Sequence, residues 1–241
     1  MTASTLPQAI ADRVDVVRSR IADAAARGGR DPDEVTLVAV TKTHPIETIE
    51  AAISAGLTDF GENRVQELAT KATVHPGEHA DGTVRWHLIG SLQSNKSKDA
   101  VELADLFHAL DRSKLVRTLN DKAEEAGRVL PVLIQVNISG EDSKHGVAPD
   151  ASHDLIAQVA DAAHLRAIGL MGMAAPARSD AEKEQVVRPA FAQLRQIRDT
   201  YTGPDASSLH ALSMGMSGDY EMAIEEGATH VRVGSALFGA R

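Results

Sequence analysis

Lys42 follows directly on the run Val35-Thr36-Leu37-Val38-Ala39-Val40-Thr41, and Thr43-His44-Pro45 comes next. A run that is apolar on both faces reads as a buried parallel strand. Pro45 is suited to the first turn of a helix. The pattern therefore delivers Lys42 from the end of a buried strand into a cavity. Burial disfavours the charged form of a lysine, and a neutral amine is a nucleophile that forms Schiff bases with carbonyl compounds. The alternative is a strand-end lysine whose stem lies on apolar surface while its charge reaches water.

A second cluster lies late in the chain. Ser213-Met214-Gly215-Met216-Ser217-Gly218-Asp219 follows a candidate strand at 208–212, and Gly234-Ser235 follows another at 230–234. Gly215 and Gly218 permit close backbone approach, while Ser213 and Ser217 offer hydroxyl donors. Gly234-Ser235 opens a short helix whose free N–H groups suit an anion. Ser217 or Asp219 could instead cap the helix that follows. Arg232 is an inward-pointing candidate on the last strand. It suits a pyridine nitrogen, a phosphate, or a structural ion pair. A Schiff-base lysine beside a phosphate site implies a phosphorylated aldehyde, and pyridoxal 5'-phosphate (PLP) is the candidate cofactor.

Other reactive residue types carry less. His87, His108, His210 and His230 fall in or beside candidate strands and read as hydrogen-bonded interior or rim residues. His44 shapes a helix start. Met171, Met173, Met214 and Met216 read as packing at a cavity mouth. His75 and His79 are four apart, but Pro76 and Gly77 between them argue against a helix-borne metal pair, so no metal is expected.

These residues need a scaffold that brings distant strand ends together. Residues 8–28 form an amphipathic pattern with Ile10, Val14, Val17, Ile21 and Ala24 on one stripe. Strands then recur at 35–41, 58–60, 85–89, 106–109, 131–137, 165–170, 208–212 and 230–234. Helical patterns near 45–55, 63–73, 95–104, 112–126, 149–161, 181–200, 217–226 and from 235 separate and follow them. Eight strands alternating with helices predict a (β/α)8 barrel, a TIM barrel, with an extra N-terminal helix. An open doubly wound sheet is the alternative. In a barrel, strand 8 closes on strand 1, which sets the phosphate loops beside Lys42.

Composition bounds the rest. The 241 residues suit one domain, 1–241, with residues 1–30 as its helical extension. A net charge of -9 argues against nucleic-acid binding. No cysteine occurs, so thiolate chemistry and disulfides are excluded and a reducing cytoplasm is expected. No signal-peptide pattern opens the chain and no apolar stretch is long enough to span a membrane.

Several segments resemble one family. Val38-Ala39-Val40-Thr41-Lys42, Phe60-Gly61-Glu62-Asn63, Leu88 to Lys96, Gln135-Val136-Asn137-Ile138-Ser139, Leu212 to Ser217 and Val231 to Gly239 are similar to the pyridoxal phosphate homeostasis proteins. The likeness spans nearly all of the chain after residue 8. It departs at Arg64, Ser91 and 172–176, on the outer rim. The resemblance implies a single barrel like the N-terminal domain of alanine racemase, with a Schiff base on Lys42. It implies a phosphate held near Ser213, Ser217, Gly234 and Ser235, with Asn63, Met214 and Arg232 among the cofactor-binding residues.

Fold does not settle function. The expected role is a monomeric carrier that binds PLP and serves PLP-dependent apo-enzymes as clients, with no catalytic residues. The alternative is an amino-acid racemase, which needs acid/base groups on both faces of the cofactor. Lys42 serves one face; racemases of this type take the second, a tyrosine, from a separate domain. Only Tyr201 and Tyr220 are present; Tyr201 falls at a helix end on the opposite barrel face, and Tyr220, in the helix after strand 7, reads as packing. A phosphosugar enzyme is a weaker third reading. Lys144, in the loop Ser139 to Gly146 on the active face, is either a second site that takes the aldehyde by exchange or an ordinary exposed lysine.

Overall fold

Eight parallel strands pair in chain order and close on themselves. They are β1 (Thr36–Val40), β2 (Asp59–Glu62), β3 (Arg85–Leu88), β4 (Leu106–Leu110), β5 (Leu130–Val136), β6 (Leu165–Gly172), β7 (Ala211–Met216) and β8 (His230–Val233). The seam pairs β1 with β8 from Thr36↔His230 to Ala39↔Val233. The computed structural model describes residues 5–80, 82–141 and 144–239. Asp81, Asp142 and Ser143, within two of the expected loops, and the terminal residues 1–4 and 240–241 lie outside the described residues.

Helices follow the strands: α1 (Leu6–Arg27) before β1, then α2 (Ile46–Ser54), α3 (Val65–Val74), α4 (Ser97–Leu103), α5 (Ser113–Glu125) and α6 (Ser152–Ala160). After β6 come α7 (Asp180–Glu182), a π turn (Lys183–Val187) and α8 (Arg188–Thr200) as one continuous rod. Pro189, in the first turn of α8, has no N–H to donate, which is a local cause of the widened turn before it. α9 (Tyr220–Glu225) and α10 (Ser235–Phe238) end the chain.

α1 buries the predicted stripe, including Ile10, Val14, Val17, Ile21 and Ala24. It packs against α2, α9 and α10. The four-residue α10 is too short to cover the seam, and α1 fills that place in the outer ring. The helix thus sits at the barrel's side.

Period-2 alternation sorts the strand residues. Phe60 and Trp86 face the helices, with ring centroids 5.6 Å apart. Val38 and Val40 face inward, where Gly61 leaves room for them. Four strands run further at their C-terminal ends than the sequence pattern indicates: β4 by one residue to Leu110, β6 by two to Gly172, and β2 and β7 with consequences for the mouth. β2 continues through Gly61 and Glu62, and β7 continues from Ala211 to Met216. Gly215 makes the β7 extension possible. Its φ is +88, and a Cβ there would lie 2.6 Å from the Ala223 side chain. The register between β7 and β8 shifts between Ser213 and Met216, so the strand end bends over the mouth.

Candidate functional site

A cavity of about 640 Å³ opens at the C-terminal ends of the strands. Lys42 and Arg232 line it, together with Asn63, Gln135, Ser217 and Ser235. Among the described residues, no carboxylate lines it, although the whole chain carries -9. The mouth is thus a cationic spot on an acidic protein.

Lys42 continues the inward parity of Val38 and Val40. The backbone around it is clamped from behind the sheet. Lys71 of α3 donates to Thr41 O at 2.7 Å and to Glu62 Oε1 at 2.6 Å. Thr41 Oγ1 donates to the same carboxylate oxygen at 2.7 Å. Glu62 is fully buried, and its Oε2 has no hydrogen-bond partner among the described residues. Burial raises its pKa, and the bonds from Lys71 and Thr41 oppose that only in part. Thr43 then takes φ 65, a left-handed conformation that is an outlier for a β-branched residue. Its N–H donates to Glu67 Oε2 at 2.7 Å. Strain of this kind persists where surrounding structure enforces it, and here it fixes the turn that starts at Lys42.

Asn63 stands at the end of β2. Its carbonyl is packed so closely against Gly90 that a Cβ on Gly90 would come within 2.2 Å. On the far side, the Ser217 hydroxyl accepts from Gly234 N at 3.2 Å and Ala236 N at 3.3 Å. Gly218 beside it faces open space. Asp219 does not cap α9 with its side chain; its Oδ1 accepts from Met216 N at 2.6 Å and ties the preceding turn.

Lys42, Asn63, Ser217, Arg232, Gly234 and Ser235 are therefore brought together as expected. Ser213 and Met214 are not. Both are fully buried and neither lines the cavity, because β7 carries them as barrel wall where the sequence pattern indicates a loop. Ser213 turns inward, to Arg232 Nη1 at 2.6 Å and His108 Nδ1 at 2.9 Å. Arg232 also donates to Gly172 O at 3.1 Å. Among the described residues Arg232 makes no ion pair at contact range, and both of these acceptors are neutral. Burial lowers Arg232 to about 10, which leaves it a cation at neutral pH.

Sequence reading missed Gln135, a polar residue inside the otherwise apolar run of β5. That break in the run was the available signal. Among the described residues, Gln135 Oε1 is buried without a partner at the cavity wall, while Nε2 donates to His145 O at 3.3 Å. It also missed His145, which lines the cavity, and Lys71, which interrupts the buried stripe of α3. His44 lines the cavity and packs on Phe238 with centroids 5.1 Å apart. The methionines divide: Met171 and Met214 are buried packing, while Met173 and Met216 are exposed at the rim. Lys144 is exposed, with Nζ 3.9 Å from Glu141 Oε1. Tyr201 donates to Pro204 O at 3.1 Å, and neither it nor Tyr220 lines the cavity.

The model of the alanine racemase N-terminal domain matches residues 8–241. The pyridoxal phosphate homeostasis protein of Escherichia coli strain K12 is 42% identical over 232 residues, covering 96% of this chain and 97% of its own. The protein of that name from Pseudomonas aeruginosa is 43% identical over 233 residues, 96% of each chain. The solved structure of PipY from Synechococcus elongatus PCC7942 with PLP bound has 35% identity and a TM-score of 0.77, covering 95% of this chain and 100% of PipY. With the barrel and near-complete coverage in agreement, the chain belongs to the pyridoxal phosphate homeostasis protein family, on the fold of the alanine racemase N-terminal domain.

Proposed function

We propose that this chain binds PLP in the mouth cavity, covalently through Lys42, and acts in cytoplasmic PLP homeostasis as a carrier. The observation that carries the proposal is a cationic, carboxylate-free cavity with a primary amine at the end of β1. The donor set fits the group: an amine for an aldehyde, hydroxyls and backbone N–H groups for a phosphate, and a guanidinium. Gln135 Oε1, unpartnered among the described residues, and the open space at Gly218 are further capacity of the right kind. When bound, the cofactor supplies the aldehyde. Lys42 supplies the amine, Ser217, Gly234 and Ser235 hold the phosphate, and Asn63 and Arg232 orient the ring. Ser213 contributes by holding Arg232.

If the phosphate is the anchor, pyridoxal without it binds at least about tenfold more weakly, since one hydrogen bond to a charged group is worth roughly 1.5–3 kcal/mol. Titration of both compounds measures this. Equal affinities would remove the anion site from the account.

The second reading, a racemase-type enzyme, needs a proton donor on the face opposite Lys42. The tyrosine hydroxyls are placed away from the cavity, which favours the carrier. The loaded protein is therefore expected to turn over free amino acids far below the typical enzyme rate of about 10 per second. Turnover near that rate with alanine or another common amino acid would favour the racemase. Lys144 stands beside the cavity-lining His145, and its exchange role stays a subsidiary proposal. Transfer to an apo-enzyme that is unchanged in Lys144→Ala, at equal loading, would make it an ordinary surface lysine.

A further inference from the structure

The axis of the barrel is polar where stacked branched apolar side chains are the rule. Asp59 of β2, His87 of β3, His108 of β4, Ser213 of β7 and Arg232 of β8 form one unbroken file. Asp59 Oδ1 lies 2.9 Å from His87 Nε2, and His87 Nδ1 lies 2.8 Å from His108 Nε2. His108 Nδ1 lies 2.9 Å from Ser213 Oγ, which accepts from Arg232 Nη1 at 2.6 Å. The file runs from the start of β2, at the lower mouth, to Arg232 at the cavity. His87, His108 and Ser213 are fully buried. His230 flanks the file, its ring 6.0 Å from His87 and 6.1 Å from His108, with its own Nδ1 bonded to Thr229 Oγ1.

Bonding capacity sets the direction of the file. Arg232 has only donors, and an ionised Asp59 has only acceptors. With neutral rings, His87 must then give its Nε2 proton to Asp59, so its Nδ1 accepts from His108 Nε2–H. His108 Nδ1 in turn accepts the Ser213 hydroxyl proton, and Ser213 Oγ accepts from Arg232. Each of the four contacts then joins one donor to one acceptor. An extra proton on His87 would reverse His108 and leave the Ser213 hydroxyl proton with no acceptor among the described residues. Burial above all, with the Arg232 charge adding to it, holds the His108 pKa well below its usual value, as a neutral link requires. Burial raises Asp59, but the His87 bond and the Arg85 charge outweigh it and leave the pKa below the usual range.

We propose that Asp59, His87, His108 and Ser213 are positioning residues that fix, through one directional hydrogen-bond relay, how Arg232 presents its remaining N–H groups to a cofactor in the mouth. The proposal rests on the reading that the cavity receives PLP. Asp59, His87 and His108 do not line the cavity, so they act only through Arg232. Unlike an apolar layer, the relay links the guanidinium to a carboxylate at the opposite mouth of the barrel and leaves it one orientation.

The test compares Asp59→Asn with Glu78→Gln. Both remove one negative charge at the lower mouth, but Glu78 pairs with Arg85 and is outside the relay. Each variant and the wild type are titrated with PLP and their visible absorption spectra recorded. Asp59→Asn is expected to weaken PLP binding about tenfold, the size of one charge-assisted hydrogen bond, and to change the balance of the absorption bands. Glu78→Gln is expected to match wild type in both. An Asp59→Asn protein that also matches wild type overturns the relay. Nitrogen-15 NMR of the unloaded wild type is the second measurement. His87 and His108 are expected to carry their protons on Nε2 alone, and a proton on Nδ1 of either ring overturns the relay without any variant. Failure of the wild type itself to bind PLP would sink the cofactor reading instead, while the ring tautomers would still decide whether the relay exists.

Discussion

At neutral pH, Lys71→Met lowers the free energy of unfolding by about 3–5 kcal/mol, the penalty for leaving a buried charge without its partner. Glu62 is 0% exposed and Lys71 5%, so water cannot take over the lost interaction. The remaining bond from Thr41 Oγ1 does not neutralise the carboxylate. The sign of the pH dependence follows from the raised pKa of Glu62. An acid with its folded pKa above its unfolded one contributes stability that is complete below the unfolded pKa and lost as pH rises through the folded one. Removing Lys71 raises the folded value further. The deficit of Lys71→Met relative to wild type is therefore largest at neutral pH and shrinks as pH falls into the carboxylate range. Denaturant unfolding of both proteins at several pH values measures it. Lys71→Met combined with Glu62→Leu should recover most of the loss, because replacing both partners of a buried pair by apolar residues is often nearly neutral. A double variant as unstable as the single one, or a deficit independent of pH, would show that packing and not charge is at stake.

Lys42→Ala removes all hydride-stable attachment of PLP, while the fold is retained. Lys42 is half-buried at the mouth, and the clamp behind it uses the backbone of Thr41 and Thr43 without its side chain. Truncation therefore removes the amine and leaves the turn in place. Intact mass after loading and borohydride treatment reads the attachment, and circular dichroism reads the fold. Full labelling of Lys42→Ala would place the link on another amine.

The barrel was legible because its signals are local. Each strand and helix announced itself by periodicity, and Lys42 was legible because a charged residue ends the apolar run of β1. Ser213 and Met214 were misplaced for a local reason too. A Ser-Met-Gly-Met-Ser segment reads as a loop, but Gly215, at positive φ, lets β7 bend and continue to Met216. The Asp59–Arg232 relay was not legible at all. His87 and His108 were readable as hydrogen-bonded interior or rim residues and Ser213 only as a loop hydroxyl, and their order depends on β3, β4 and β7 facing one another across the barrel axis. That juxtaposition is a property of closure, which no window of sequence contains. The Glu62–Lys71 pair lies between: a lysine on the apolar stripe of α3 was a readable anomaly, but its partner on β2 was not.

Peptide mapping of the wild-type protein, loaded with PLP and reduced with borohydride, tests the central claim most directly. The account predicts that the peptide carrying Lys42 bears the reduced pyridoxyl group, with a mass increase lost in Lys42→Ala. Full occupancy of the protein with an unmodified Lys42 peptide would contradict it.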